Sequence, residues 1–140
     1  MFQRFVVMAA AWLEIVVGAS FAALPDIPSM LLFAAKPEGI GVYLARFAGF
    51  GLLGLGIASL PSATTGSRRG VVGLFVFNLG VSILFVWVGV VTTVHGLLLW
   101  PVAILHAVIA TALVPQLLTS KGWWIADSAL QSPLVRSDRK

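Results

Sequence analysis

Glu14, Arg46, Asn78 and His106 are the residues of this chain whose types can do chemistry together, and each lies deep in a different apolar stretch. A carboxylate, a guanidinium, a carboxamide and an imidazole can neutralise one another, hold a hydrogen-bonding ligand or pass a proton. An ionisable group at the centre of a bilayer costs at least about 2.5–3.5 kcal/mol, so such residues need partners or a purpose. Two accounts fit. In the structural one, Glu14 and Arg46 neutralise each other, Asn78 and His106 take up the remaining donors and acceptors, and the set locks the helices in place. In the functional one, a carboxylate and an imidazole at one depth handle a proton or hold a polar head such as a quinone carbonyl.

The elements that position these residues are apolar runs of membrane-spanning length, at about 5–24, 40–60, 71–91 and 97–118, given a hydrocarbon core about 30 Å thick. Pro25 and Pro28 close the first run. Met30 to Lys36 is too short to span; with Ser29 as its cap and Pro37 as its stop, it reads as a short interfacial helix. Pro61 to Gly70 reads as a polar loop. At a rise of about 1.5 Å per residue, Glu14 and His106 fall near the midplane, with Arg46 and Asn78 within several ångströms of it. Small residues share their faces: Ala10, Ala11 and Gly18 with Glu14, Gly49 with Arg46, Ser82 with Asn78, and Ala103 and Ala110 with His106. Such faces pack against other helices. The expected fold is all-α: an integral membrane four-helix bundle running up-down-up-down over residues 1–120, followed by an amphipathic interfacial tail at 121–140.

Composition supports that class. Of 140 residues, 59% are hydrophobic and 10% charged, and the mean hydropathy is +1.02. A soluble globule carries about 25% charged residues. With an even number of spans, Arg4, Arg68, Arg69, Lys121, Arg136, Arg139 and Lys140 lie on one side and Lys36 on the other. The positive-inside rule then puts both termini in the cytoplasm. A pI near 10.4 does not indicate nucleic acid, because the basic residues flank spans and form no stripe. Glu14 and Pro25 within a signal-like N-terminus indicate a retained first helix. Trp100, Trp123 and Trp124 are suited to the headgroup region.

Several other chemistries are disfavoured. Having no cysteine, the chain lacks disulfides, thiolate metal sites and thiol nucleophiles. His95 and His106 would sit about 16 Å apart along a helix, too far to share a metal, so no metal site is expected. Gly49-Phe-Gly51-Leu-Leu-Gly54 matches the dinucleotide pattern but falls in mid-span, where glycine serves close helix packing. Gly18, Gly49 and Gly56 are accordingly the expected packing glycines. Pro101 is expected to bend the start of the fourth helix.

The segments Leu44-Ala-Arg46-Phe-Ala-Gly49-Phe-Gly-Leu-Leu-Gly54-Leu-Gly56 and Leu99-Trp100-Pro101-Val-Ala-Ile-Leu-His106-Ala resemble a group of uncharacterised small bacterial four-helix membrane proteins, loosely DoxX-like. The resemblance covers roughly residues 5–118 and implies a bacterial inner-membrane location. DoxX proteins are linked to quinone-coupled sulfur oxidation, and the absence of cysteine counts against a thiol-dependent version here. The stretch Leu13-Glu14-Ile15-Val16-Val17-Gly18 also looks similar to the first helix of small multidrug exporters, whose glutamate exchanges protons for cationic drugs. An arginine at compatible depth argues against that mechanism.

The leading expectation is a non-catalytic accessory, assembly or scaffold subunit that docks on other membrane subunits or on copies of itself, with no cofactor. The alternative is a proton-coupled small-molecule transporter or a quinone-linked redox subunit built on the central polar layer. A pigment held by His106 alone is a remoter option.

Overall fold

In the computed structural model, residues 2–65, 68–93 and 95–119 are described, and they are all-helical. The helices are α1 (Phe2–Ala23), α2 (Asp26–Phe33), α3 (Ile40–Thr65), α4 (Arg68–Val91) and α5 (Leu99–Thr119). All but α2 are long and apolar enough to cross a membrane, over Gln3–Ala23, Ile40–Leu60, Arg68–Val91 and Leu99–Leu118. Large apolar side chains such as Phe5, Trp12, Phe47, Ile83, Trp87 and Ile104 are exposed around the bundle. A surface of that kind has lipid as its solvent, and the chain is an integral membrane protein.

The most extensive helix pairing is α1 with α3, followed by α4 with α5. Glycine makes the first possible. A Cβ on Gly18 would lie 2.7 Å from the Gly49 carbonyl oxygen, and one on Gly56 would lie 2.7 Å from that of Ala11. Backbone therefore meets backbone, the contact on which helix association in lipid depends most. Of the glycine pattern at 49–54, only Gly49 faces another helix; a Cβ on Gly51 or Gly54 would meet nothing within 4 Å. The second pair has a similar device, with the Trp100 ring resting on Gly89. Between α3 and α4, the fully buried Ser59 donates to Leu55 O at 2.7 Å and reaches Gly70 O at 3.5 Å. Gln116 Nε2 donates to Gln3 O at 2.8 Å and ties the end of α5 to the start of α1.

The core is off-centre. Val7, Ala10, Val71, Leu74 and Leu113 form its buried cluster, joined by Leu55, Ile109 and Leu117. These come from the first half of α1 and α4 and the last half of α5, so this cluster lies toward the end that carries Phe2 and Thr119.

The opposite end departs from the sequence expectations. The short helix begins at Asp26, not Met30, and it runs through Pro28. Proline is tolerated in a first helical turn, where its missing N–H has no intrahelical partner to lose. Ser29 is a buried residue within the helix and not its cap, and the helix stops at Ala34, a left-handed residue with φ 53°, before Pro37 is reached. The chain also ties α2 down at its end, while Ile27, Met30 and Leu31 stay exposed. Its carbonyls at Leu31 and Leu32 accept from Leu98 N at 2.9 Å and Gly96 N at 2.7 Å. Those carbonyls belong to the last turn, which has no intrahelical donors, so the α4–α5 connection caps α2. Gly96 is confined there, because a Cβ would collide with the Leu31 carbonyl.

A proline expectation is corrected as well. Rather than forming a loop from Pro61, α3 continues to Thr65, and α4 begins at Arg68. Proline removes its own N–H from the ladder but leaves the following residues free to stay helical. Pro101 lies in the first turn of α5, where no ladder bond is lost, and the proline within the helix is Pro115. Trp123 and Trp124, and the expected tail at 121–140, fall outside the described residues.

Candidate functional site

Glu14 stands one turn beyond Ala10 on α1, and Asn78 one turn beyond Leu74 on α4, so both sit immediately above the packed core. Their side chains are almost wholly buried, at 1% and 0% exposure, and His106 on α5 is 6% exposed. Asn78 Nδ2 donates to Leu74 O at 2.8 Å and to Glu14 Oε1 at 3.4 Å. The shorter bond identifies the nitrogen, since a carboxamide oxygen cannot face a carbonyl at that distance. Asn78 thus uses its own helix backbone as a fixed point and holds the Glu14 carboxyl from behind.

Arg46 does not join this group. It is exposed on α3, and the hydrogen bond to Glu14 comes from Asn78. The reason is angular. Gly49 turns to α1, and Arg46 lies about 60° around the helix from it at 100° per residue. That rotation places Arg46 beside Tyr43, Phe47 and Phe50, all more than 60% exposed. Similar depth therefore brought no contact, and the expected Glu14–Arg46 neutralisation is absent.

Above Glu14 and His106 a cavity of about 840 Å3 opens toward α2. All five helices contribute to its wall: Glu14, Val17 and Phe21 from α1; Ser29 and Phe33 from α2; Ala48, Gly51 and Leu52 from α3; Phe77, Val81 and Phe85 from α4; and Val102 and His106 from α5. Phe33 meets Phe85 edge-on at 5.8 Å between ring centres, which joins α2 to α4 across one side of the cavity. Phe77 tilts against the His106 ring at 6.0 Å and backs the imidazole. The layout is a sealed base of core side chains, a polar floor, apolar and aromatic walls, and α2 over the far end.

Two buried polar atoms in the floor region, Asn78 Oδ1 and His106 Nδ1, make no well-formed hydrogen bond, although the Val102 carbonyl stands near the His106 ring. Native interiors leave few such atoms unmatched, and each leaves hydrogen-bonding capacity unspent. Among the described residues no group of three His, Asp or Glu side chains is arranged to hold a metal. Neither Asn78 as the support of Glu14 nor the cavity itself was visible in the sequence. The first needs the azimuth of α4 relative to α1, and the second needs the position of α2.

Cavities of about 300–1,000 Å3 with a few convergent polar groups are the usual form of a small-molecule site. The chemistry available is hydrogen bonding to a polar head, by a carboxyl and an imidazole, within an otherwise apolar chamber. No family model matches the chain, and no curated protein or solved structure matches it.

Proposed function

We propose that this protein binds a lipophilic small molecule inside the membrane, with the molecule's hydrogen-bonding head against Glu14 and His106 and its apolar body along the aromatic walls. The observation that carries this is the cavity of about 840 Å3, whose floor bears those two side chains and whose walls are otherwise nearly all apolar. A ring carrying carbonyl oxygens, as in a quinone, is the head chemistry that suits an imidazole N–H. Four spans running up-down-up-down, with both termini in the cytoplasm of a bacterial inner membrane, complete the reading. It favours the ligand-handling alternative over a passive scaffold, because the ion pair that would make the polar layer a self-contained lock is missing. The DoxX-like resemblance, with its link to quinones, supports the same class of occupant.

The test is gentle purification from native membranes, followed by mass spectrometry of the molecules that remain bound. A lipophilic compound with a polar head should copurify with the wild type and be lost from Glu14→Gln and His106→Leu, both still folded by circular dichroism. Equal retention by both variants would overturn the assignment. Stoichiometric capture of a larger membrane protein, with an empty cavity, would restore the accessory-subunit reading. Orientation is tested separately by single cysteines at Gly39 and Ser67 in this cysteine-free chain. A membrane-impermeant thiol reagent added outside intact cells should label the first and spare the second, and the reverse result would invert the topology.

A further inference from the structure

Arg46 begins from an unfavourable position: a permanent positive charge on the exposed face of a membrane span. It lies six residues into α3 from Ile40, roughly 9 Å along the axis. Its exposed neighbours are Tyr43, Phe47 and Phe50, side chains that belong in lipid. A guanidinium there must find an anion or reach the headgroup layer. Among the described residues no carboxylate pairs with it. Asp26 stands at the same end of the bundle but is engaged by Lys36, Nζ to Oδ2 at 3.7 Å. Glu38 makes no ion pair among the described residues.

Around this charge there is a second pocket, of about 470 Å3, which shares Lys36 with the central cavity but none of its floor. Arg46, Lys36 and Asp26 line it together with Leu24, Ile27 and Val42. It forms where the chain turns at Pro25 from α1 into α2, against the first turns of α3. The charges sum to one excess positive unit, beside apolar side chains. A phosphate group attached to acyl chains is complementary to both features. Arginine suits it better than lysine would, since the planar guanidinium offers a forked pair of donors to two phosphate oxygens.

We propose that Arg46, with Lys36 at the rim, is a binding site for the phosphate of an anionic phospholipid in the leaflet on the α2 side. The lipid headgroup supplies the counter-charge that the polar layer does not, and its acyl chains lie along the exposed Tyr43, Phe47 and Phe50 face of α3. The proposal does not rest on the identity of the central cavity's occupant, although Lys36 lines both pockets.

The test uses full-length protein in nanodiscs of equal phosphatidylglycerol and phosphatidylcholine, with the lipids that stay bound after transfer to detergent measured by mass spectrometry. Wild type should retain phosphatidylglycerol preferentially. Arg46→Gln should reduce that preference about fivefold, the weight of one basic residue near an anionic surface. Arg46→Lys should fall between them, and excess inorganic phosphate should displace no lipid. An unchanged lipid ratio in Arg46→Gln, at an unchanged melting temperature, would overturn the site. Displacement by inorganic phosphate would overturn the lipid in favour of a free ion. Should Arg46→Gln not fold, Lys36→Gln and Arg46→Lys decide the matter: reduced preference in both supports the lipid site, and wild-type preference in both refutes it.

Discussion

Glu14, Asn78 and Arg46 show how little depth alone says about who touches whom. Asn78 reaches Glu14 from a separate helix at 3.4 Å, whereas Arg46 turns outward. Polar contacts between membrane helices are worth about 0.6 kcal/mol on average and about 1.7 at most, and a bond of this length belongs to the lower half. A double-mutant cycle of Glu14→Ala and Asn78→Ala, followed by reversible unfolding in mixed micelles, should therefore give a coupling energy of about 0.6 kcal/mol. The same cycle on Glu14→Ala and Arg46→Ala should be additive within about 0.3–0.5 kcal/mol, as for residues with no shared partner. Strong coupling in the second cycle, with none in the first, would reverse the two assignments.

At the scale of elements, glycine placement decides which helix faces meet. Gly49 brings α3 against α1, and Gly51, two residues on, faces the cavity with open space where a Cβ would go. Replacing Gly49 by alanine should force the backbones apart and destabilise the bundle by about 1–3 kcal/mol, the usual cost of overpacking. Gly51→Ala should be neutral or slightly stabilising, since alanine is the better helix former by about 1 kcal/mol. Thermal unfolding of the two variants side by side makes the comparison, and equal effects would mean that the α1–α3 contact is not what limits stability. The existence of the long helices was legible in the sequence, because unbroken apolar runs of spanning length have few other readings in so hydrophobic a chain. Their ends were less so. Pro25, Pro28 and Pro61 read as breakers, yet a proline removes only one donor, so α2 starts beside one and α3 passes another. The placement of α2 was beyond reach from sequence, since it depends on the amides of Gly96 and Leu98, far away in the chain. The polar residues themselves stood out by type, but their grouping turned on helix rotation: about 60° separates Arg46 from the packed face of α3.

For the molecule as a whole, the uneven distribution of packing is the central fact. A dense cluster around Leu74 and Leu113 fills one end, while the other holds a chamber of about 840 Å3 under α2. A bundle serving only as a spacer would gain stability by filling that volume, because each missing contact forfeits dispersion energy. The polar floor makes filling costly, since apolar side chains packed over Glu14 and His106 would leave their polar atoms with no prospect of a partner. An occupant with an apolar body and a polar head satisfies both demands, and Gly51 provides the means to test it. Gly51→Trp would project an indole into the chamber from a position where nothing stands within 4 Å. The α1–α3 contact through Gly18, Gly49 and Gly56 would remain intact, because Gly51 takes no part in it. Burying the ring against Phe77 and Phe85 should leave the melting temperature at or above that of the wild type. If the chamber is a binding site, the same substitution should cut the copurifying lipophilic molecule at least about tenfold, the effect of losing about 1.4 kcal/mol of binding. Undiminished ligand in a stable Gly51→Trp protein would place the binding elsewhere, and loss of ligand together with stability would be resolved by Gly51→Leu, which fills less of the chamber and should lower retention in proportion.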